Sequence, residues 1–130
     1  MSKSPPSPRP TDAELAILEV LWQRGASTVR EVHEALPERQ TGYTTVLKLM
    51  QIMVDKRLLA RDEAQRSHIY RALVDRERTR RRLVAELCDK VFGGSAAELV
   101  MHALSDEATS AELAEIRGIL DDYEGKRGAR

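Results

Sequence analysis

The sequence predicts a mainly α-helical protein with one small β-hairpin. Apolar residues recur at the three- and four-residue spacing of amphipathic helices over most of the chain. Threonine or serine repeatedly stands three residues before glutamate where an apolar run begins, which is a signature of a helix start. Only residues 58–72 contain two short runs rich in aliphatic, β-branched or aromatic residues. The 130 residues, 42% of them hydrophobic, suit one ordinary domain, or one small domain with an oligomerising appendage.

Residues 1–10 are predicted to form a disordered leader. They contain four of the five prolines and too little apolar material to offset the entropy of ordering. They also lack the apolar centre of a signal peptide, and no apolar run approaches the ~20 residues that span a bilayer. We therefore expect a cytoplasmic protein with no membrane insertion.

Two capped helices follow the leader. Thr11 and Glu14 have the spacing of a capping box and start a helix over about residues 12–24. The same Thr-x-x-Glu spacing starts a second helix over about residues 28–36, which ends before Pro37. Both helices carry an apolar stripe for burial.

The third predicted helix, about residues 43–56, has two different faces. One arc is apolar, as expected of a helix that packs on a core. The opposite arc carries polar side chains: Thr44, Thr45, Lys48, Gln51 and Asp55. Ile52 also lies on this outer arc, and the sequence offers no reason for it.

Residues 58–61 and 68–72 are predicted to form two short strands, joined by the polar stretch 62–67. Together they make a β-hairpin. The stretch contains no Asn-Gly or Asp-Gly pair, so neither the turn type nor the register is predicted.

Three helices are predicted after the hairpin. The first covers about residues 75–92 and ends at a Gly-Gly pair, and capping-box spacings at Ser95 and Thr109 start a short helix and a final helix that runs to Gly125. Three helices of this size enclose little volume, so we expect their stripes to be buried against a second copy of the chain. The residues expected at this dimer contact are Leu83, Leu87, Val91, Leu99, Val100, Leu113, Ile116 and Leu120.

The net charge is zero, but two parts of the chain differ in sign. Residues 1–82 carry 16 Lys/Arg against 11 Asp/Glu, a net charge of +5. Residues 83–130 carry 5 against 10, a net charge of −5. Only the N-terminal part suits a phosphate-rich partner, and on its own this asymmetry supports nucleic-acid binding only weakly.

The order of the predicted elements indicates a DNA-binding fold. Helix, helix, polar-faced helix and hairpin describe a winged helix-turn-helix, whose third helix enters the major groove while the hairpin, or wing, lies along the DNA backbone. Thr44, Thr45 and Lys48 can donate to, accept from or touch base edges. Donors near the helix N-terminus and on the wing suit phosphates. The predicted DNA-binding residues are Thr41, Gly42, Tyr43, Thr44, Thr45, Lys48, Arg61, Arg66, Ser67 and His68.

The predicted organisation has four parts. These are a leader over residues 1–10, a winged helix-turn-helix domain over 11–74, a helical dimerisation arm over 75–125 and a disordered tail over 126–130. Tyr43 lies at the start of the third helix. We expect it to pack in the core, with its hydroxyl at the edge of the core, rather than to contact a base. The expected partners are double-stranded DNA and a second copy of the chain.

Other interpretations remain open. A Thr-Thr-x-x-x-Lys face is also a common solvated helix surface, and zero overall charge suits a winged-helix module that docks a protein partner instead of DNA. A ligand-gated regulator ranks below both, since the short arm leaves little room for a pocket. The arginines between residues 76 and 82 suit a solvated face as well as a phosphate track.

Catalysis and metal binding have little support in the sequence. The three histidines lie in three different predicted elements, and no Gly-rich phosphate loop or serine-elbow spacing occurs. The single cysteine, Cys88, falls on an apolar helix face, and one thiol cannot form an internal disulfide or a thiolate cluster. We expect no catalytic residue, no metal site and no cofactor.

Short motifs occur in order along both halves of the chain. In the N-terminal half they are Leu21-Trp22, Val29-Arg30-Glu31-Val32, Gly42-Tyr43-Thr44-Thr45-Val46, Lys56-Arg57-Leu58-Leu59 and Ile69-Tyr70. In the C-terminal half they are Val91-Phe92-Gly93-Gly94-Ser95, Leu99-Val100 and Glu115-Ile116-Arg117-Gly118-Ile119-Leu120. Over residues 10–121 this set resembles the penicillinase-repressor family of the BlaI, MecI and CopY type.

The resemblance implies a bacterial repressor that binds a palindromic operator as a homodimer, with the winged helix on DNA and the C-terminal helices in the dimer. Family members often work beside a membrane-embedded sensor metalloprotease, whose signal leads to cleavage of the C-terminal domain and release of the operator. In those members the cut falls at an Asn-Phe pair, and the matching positions here are His102 and Ala103. The copper-responsive branch has a C-terminal cysteine cluster, so a chain with Cys88 alone is not expected to sense copper.

Overall fold

The computed structural model describes residues 9–37, 41–104 and 106–128, and within them the chain forms six α-helices and one antiparallel hairpin. In chain order the elements are α1 (Asp12–Arg24), α2 (Val29–Ala35), α3 (Tyr43–Asp55), β1 (Leu59–Asp62), β2 (Ile69–Ala72), α4 (Arg76–Val91), α5 (Ala96–Ala103) and α6 (Ser110–Gly128). The prediction of a mainly α-helical chain with a small hairpin is confirmed. Residues 1–8 of the predicted leader lie outside the described residues.

Capping boxes start α1 and α2, as the sequence predicts. The Thr11 hydroxyl accepts a hydrogen bond from the Glu14 N–H at 3.2 Å, and the Glu14 carboxylate accepts one from the Thr11 N–H at 2.9 Å. Thr28 and Glu31 make the same two bonds at 3.1 and 2.8 Å. These bonds satisfy N–H groups that have no partner inside the helix, so the sequence alone defines both helix starts.

The capping hydrogen bonds at the starts of the last two helices are less complete. The Ser95 hydroxyl accepts from the Glu98 N–H at 3.1 Å, but the Ser95 N–H donates to the Phe92 carbonyl at 3.0 Å instead of to Glu98. The predicted capping box of α5 is therefore only half formed. Before α6, the Thr109 hydroxyl accepts from the Glu112 N–H at 3.1 Å.

The last helix does not end where the sequence predicts. The prediction places its end at Gly125, but α6 continues to Gly128, so residues 126–128 are helical rather than part of a disordered tail. Residues 129–130 lie outside the described part of the chain. Glycine ends a helix by taking a positive φ, as Gly25 does with a φ of 86° after α1, and Gly125 has no such φ.

The hairpin differs slightly from the predicted strands. β1 begins at Leu59 because the N–H of Leu58 still closes the end of α3, donating to the Met53 carbonyl at 2.9 Å. The pairs across the hairpin are Leu59 with Ala72, Ala60 with Arg71, Arg61 with Tyr70 and Asp62 with Ile69. Within the six-residue connection, the Asp62 carboxylate accepts from the Ala64 N–H at 2.9 Å, an Asx turn in place of an Asn-Gly turn.

One hydrophobic core joins α1, α2, α3 and the hairpin. Its buried members are Ile17, Leu18, Val20, Leu21, Val29, Val32, Leu36, Val46, Met50, Met53, Leu58, Leu59 and Tyr70. The apolar faces predicted for the first three helices supply most of them. Trp22 packs against this core and donates its indole N–H to the Val74 carbonyl at 3.0 Å, which fixes the chain as it leaves β2.

The connection between α1 and α2 is bonded to the second strand. Ser27 and Tyr70 form an isolated antiparallel bridge, in which each N–H donates to the other carbonyl, at 2.9 and 2.8 Å. Both residues are buried. The start of α2 and the base of the wing are therefore held together directly.

The chain divides into two compact units, the first ending at Val84 and the second beginning at Ala85. The division falls inside α4 rather than after residue 74, because the first turns of that helix keep contact with α1: the Arg80 guanidinium lies 3.4 Å from the Glu19 carboxylate. The core lies entirely in the first unit, whereas α5 and α6 contain no buried residue among those described.

A buried ion pair ties the start of α1 to the end of α3. Glu14 is 1% exposed, and its carboxylate accepts from the Lys56 ammonium at 2.8 Å. Burial raises the pKa of Glu14, but hydrogen bonds from Lys56 and Thr11 outweigh it and hold the pKa below its ordinary value. A carboxyl whose pKa falls on folding adds stability above its unfolded pKa, and the gain is lost as the pH falls through the folded pKa.

We predict that Lys56→Met lowers the free energy of unfolding by about 1.5–3 kcal/mol at neutral pH, because it leaves a buried carboxylate without its charged donor. Urea denaturation measures this as a lower midpoint at unchanged slope. The matched control is Arg24→Met, which removes an ion pair of 3.8 Å between half-exposed side chains and should change the midpoint little.

The difference between Lys56→Met and the wild type should shrink below a pH of about 4.5, the ordinary pKa of a glutamate, since protonation of Glu14 removes the charge that needs Lys56. Equal midpoints for Lys56→Met and Arg24→Met at neutral pH would contradict the role given to this pair.

Candidate nucleic-acid interface

α3 buries one side and exposes the other, as its sequence pattern predicts. Val46, Met50 and Met53 are each 0% exposed and hold the helix on the core. The predicted polar arc is exposed throughout: Thr44, Thr45, Lys48, Gln51 and Asp55. Ile52 is 38% exposed on the same side. A row of hydroxyl, amine and amide groups therefore faces outward from a rigidly packed helix.

The entrance of α3 is fixed from α2. The His33 Nε2 atom lies 2.9 Å from the carbonyl oxygen of Thr41, and the ring of His33 meets the ring of Tyr43 edge-on at 6.1 Å. Tyr43 is 45% exposed, so its interpretation as a core anchor is wrong. Val46 is the buried residue of the first turn, and the ring of Tyr43 instead contacts the ring of His33 at the surface. Gly42 is the N-cap and makes no side-chain capping bond.

A groove with a volume of about 320 Å³ opens between α2, the first turns of α3 and the wing. Its lining residues are Thr28, Val29, Arg30, Tyr43, Leu47, Arg66, Ser67, His68 and Tyr70. Four of the predicted DNA-binding residues, on α3 and on the wing loop, are thus brought together: Tyr43, Arg66, Ser67 and His68.

Arg30 was not among the predicted DNA-binding residues, yet it lines this groove. Its sequence signals were its position early in a capped helix, where arginines are common on protein surfaces, and its place in the motif Val29-Arg30-Glu31-Val32. Two arginines and a histidine line the groove, and none of the described lining residues is a carboxylate. The groove is therefore suited to an anion.

Arg61 stands apart from this group. It is not among the described residues that line the groove, and its guanidinium lies 3.1 Å from the Glu63 carboxylate. A hydrogen bond with Tyr70 and the negative charge of Glu63 raise the pKa of Arg61. The positive charge of Arg61 is thus already paired with Glu63 within the hairpin.

The residues predicted at the dimer contact lie on the last three helices. Leu87, Val91, Val100 and Leu120 are 47, 62, 44 and 56% exposed. Leu83, Leu99, Leu113 and Ile116 are partly buried. Further large apolar side chains are exposed on the same helices: Val84, Met101, Ile119 and Tyr123.

The positions that match the family's cleavage pair lie at the end of α5. His102 and Ala103 are both exposed. The His102 Nδ1 atom lies 2.8 Å from the Glu98 carbonyl oxygen, and its ring contacts Phe92 with a centroid separation of 5.1 Å. The imidazole therefore packs back on Phe92, the residue before the Gly93-Gly94 turn.

Membrane-spanning helices and clusters of metal ligands are both absent from the described residues. No helix among them is long and apolar enough to cross a membrane. Nor do these residues contain a group of three or more His, Cys, Asp or Glu side chains placed to hold a metal ion.

Solved structures with some likeness include the Bordetella bronchiseptica protein BpsR, described with a mechanism for regulation of its DNA binding by 6-hydroxynicotinic acid. It is 21% identical, with 92% of this chain and 78% of that chain covered and a TM-score of 0.46. A MarR family transcription regulator is 24% identical, with 88% and 74% covered and a TM-score of 0.45.

Sequence comparison covers nearly the whole chain. The family model for the penicillinase repressor matches residues 10–122. The transcriptional regulator BlaI from each of two Mycobacterium tuberculosis strains is 32% identical over 123 residues, which cover 92% of this chain and 88% of the relative. The family match runs through the winged helix, the polar face of α3, α4, α5 and the first part of α6, and the chain belongs to the penicillinase-repressor family of transcriptional regulators.

Proposed function

We propose that this protein is a transcriptional repressor that occupies a palindromic operator as a homodimer, in the cytoplasm. The exposed polar face of α3, beside a groove whose described lining residues include no carboxylate, is the observation that carries the proposal. The family supports DNA binding by a regulator. The operator symmetry, the dimer and the mode of release are parts of the proposal.

The face of α3 has the chemistry that base reading needs. Lys48 can donate to guanine, and the hydroxyl groups of Thr44 and Thr45 can donate or accept while their methyl groups contact thymine. These three side chains are exposed on the first turns of the helix, where recognition helices contact base edges. Each is held by a backbone that the buried stripe keeps rigid.

The distribution of charge also supports DNA binding by the first unit. The chain up to Val84, which is the first unit, carries the net charge of +5, and the remainder carries −5. Positive charge is therefore concentrated on the unit that holds α3 and the wing. Contact with phosphates would release counterions and make binding strongly salt-dependent.

The C-terminal helices support a homodimer. They expose large apolar side chains and bury none of their own described residues completely, so a second copy offers the matching surface. A twofold axis would place two recognition helices about 34–36 Å apart, or a multiple of this distance, on a palindromic site. Occupation of that site would block RNA polymerase.

Cleavage in the arm is the proposed route of release, as the family resemblance implies. The exposed pair His102 and Ala103 marks the region, and a sensor metalloprotease acting there would have to accept His-Ala in place of Asn-Phe. Loss of α6 would remove part of the apolar surface and weaken the dimer.

The proposal is tested by titrating the protein against a duplex from its own promoter region and against a scrambled duplex, each at low and near-physiological salt. We expect selective binding by a dimer, with log K falling by about 0.9 per neutralised phosphate for each unit of log salt. Weak binding to both duplexes that disappears at higher salt would instead favour a winged-helix module that docks a protein partner.

We predict that Thr44→Ala and Lys48→Ala each reduce operator affinity by about 1–3 kcal/mol, because each removes a direct base contact. The scrambled duplex should be affected less by Thr44→Ala than the operator is. Lys90→Ala, which removes the same charge from an exposed position of the second unit, is the control. Unchanged operator affinity in both α3 variants would refute their assignment.

We predict that Leu113→Asp dissociates the dimer and weakens operator binding while the first unit stays folded. A charge on the apolar stripe of α6 cannot be buried without a large desolvation cost. The matched control is Ala114→Asp, the same charge at the neighbouring exposed position. Sedimentation measures the state of association, and circular dichroism the fold; a monomeric wild type would remove the basis of the prediction.

A further inference from the structure

The groove between α2 and the wing has three walls from separate elements. Arg30 comes from α2, Tyr43 and Leu47 come from α3, and Arg66 and His68 come from the wing loop. Val29 and Tyr70, which also line it, are buried, 5% and 1% exposed, so they give the groove a fixed base. An oxyanion in the groove would meet Arg30, Arg66 and His68 as its polar partners.

Three acidic side chains close in sequence to the groove residues are engaged with other groups. Glu31, next to Arg30 in sequence, accepts from the Thr28 N–H and lies 3.8 Å from the Arg24 guanidinium. On the wing, Glu63 pairs with Arg61. The Asp62 carboxylate accepts from the Ala64 N–H.

The groove arginines differ from these paired ones. Among the described residues, neither Arg30 nor Arg66 has an ion pair with a carboxylate. Both guanidinium groups therefore remain available to a ligand. A guanidinium binds two oxygens of one phosphate through parallel N–H groups, a geometry that a phosphodiester provides.

The walls of the groove are set before any ligand arrives. Ser27 directly precedes the cap of α2, and Tyr70 follows the wing loop, and the two hydrogen bonds between Ser27 and Tyr70 join the walls at 2.9 and 2.8 Å. The third wall is held by the ring contact between Tyr43 and His33. The backbone on both sides of the groove is therefore in place before binding, which limits the ordering cost to the side chains that line it.

The groove also adjoins the face that we propose reads the bases. Tyr43 and Leu47 lie one helical turn apart at its edge, and the exposed residues Thr44 and Lys48 come directly after them on α3. In DNA the phosphate backbone borders the major groove in the same way. A helix placed in the major groove would therefore bring a backbone phosphate to this edge.

We infer that the groove binds one phosphodiester of the operator backbone, and that Arg30 of α2 closes on it from the side opposite Arg66 of the wing. This inference rests on the proposed DNA binding and adds a contact residue outside the recognition helix and the wing. The contact is independent of sequence, since it reaches the backbone and no base.

The test compares Arg30→Ala with Arg57→Ala. Arg57 lies just beyond the opposite end of α3, about 20 Å away along a helix of 13 residues. Its positive φ of 64° is as unfavourable for alanine as for arginine, so the substitution adds no backbone strain. The dimer carries two copies of Arg30, so we expect Arg30→Ala to lose roughly tenfold in affinity per half-site, and about a hundredfold for the dimer, on the operator and on the scrambled duplex alike, which leaves their ratio unchanged. Its plot of log K against log salt should be less steep by about 1.8, which is about 0.9 for each of the two lost phosphate contacts. Arg57→Ala should match the wild type in affinity, in ratio and in slope.

A second experiment identifies the phosphate. Operator duplexes carrying one neutral methylphosphonate at successive positions remove one backbone charge at a time. At one position in each half-site the wild type should lose clearly more affinity than Arg30→Ala does, because Arg30→Ala has already lost one of the two arginine partners of that phosphate. Arg30→Lys should keep the salt slope and part of the affinity. Lysine retains the positive charge but lacks the two parallel N–H groups of the guanidinium.

The outcomes separate the two proposals. If the wild type selects the operator but Arg30→Ala binds and responds to salt as Arg57→Ala does, the groove inference is overturned and the repressor proposal stands. If the wild type itself does not prefer the operator, the repressor proposal fails and the inference fails with it. Arg30 is exposed, so thermal unfolding of Arg30→Ala should match that of Arg57→Ala, and a large drop would overturn the inference in favour of a structural role.

Discussion

The burial of one stripe of α3 is the constraint on which the rest of the structure depends. Val46, Met50 and Met53 are completely buried, so the rotation of the helix about its axis is fixed. Contacts with α1, α2 and β1 all reach this helix. Because one side is fixed inward, the side that carries Thr44 and Lys48 must point outward. Packing in the core thus determines which groups are offered to a partner.

The wing and α2 are positioned on this framework by a few polar bonds. The Ser27–Tyr70 bridge joins the start of α2 to β2, and the Trp22 indole bonds the chain after β2. At the far end of α3, Glu14 and Lys56 join α1 to the turn before the hairpin. Each bond links segments that are distant in sequence, so the groove is a product of the tertiary structure.

The sequence predicts features whose causes are local. Capping residues beside α1 and α2 define their starts, and the two faces of α3 follow from its periodicity. Features that need distant partners were missed. The position of Tyr43 depends on His33 beneath it, and the significance of Arg30 depends on a wing loop brought near by the Ser27–Tyr70 bridge. Gly125 looks like a helix end, but the described residues after it, 126–128, stay helical.

The two units make different kinds of contact in the proposed repressor. The first unit would supply charge-dependent contacts to one half-site, and such contacts weaken as salt screens them. The second unit would supply an apolar contact between copies, which salt does not screen. Joining two half-site binders makes the second binding event intramolecular and can raise the overall affinity by orders of magnitude without any new DNA contact. Operator occupancy would then depend more steeply on the integrity of the arm than on any single contact to DNA, which makes the arm the effective place for an inducing signal to act.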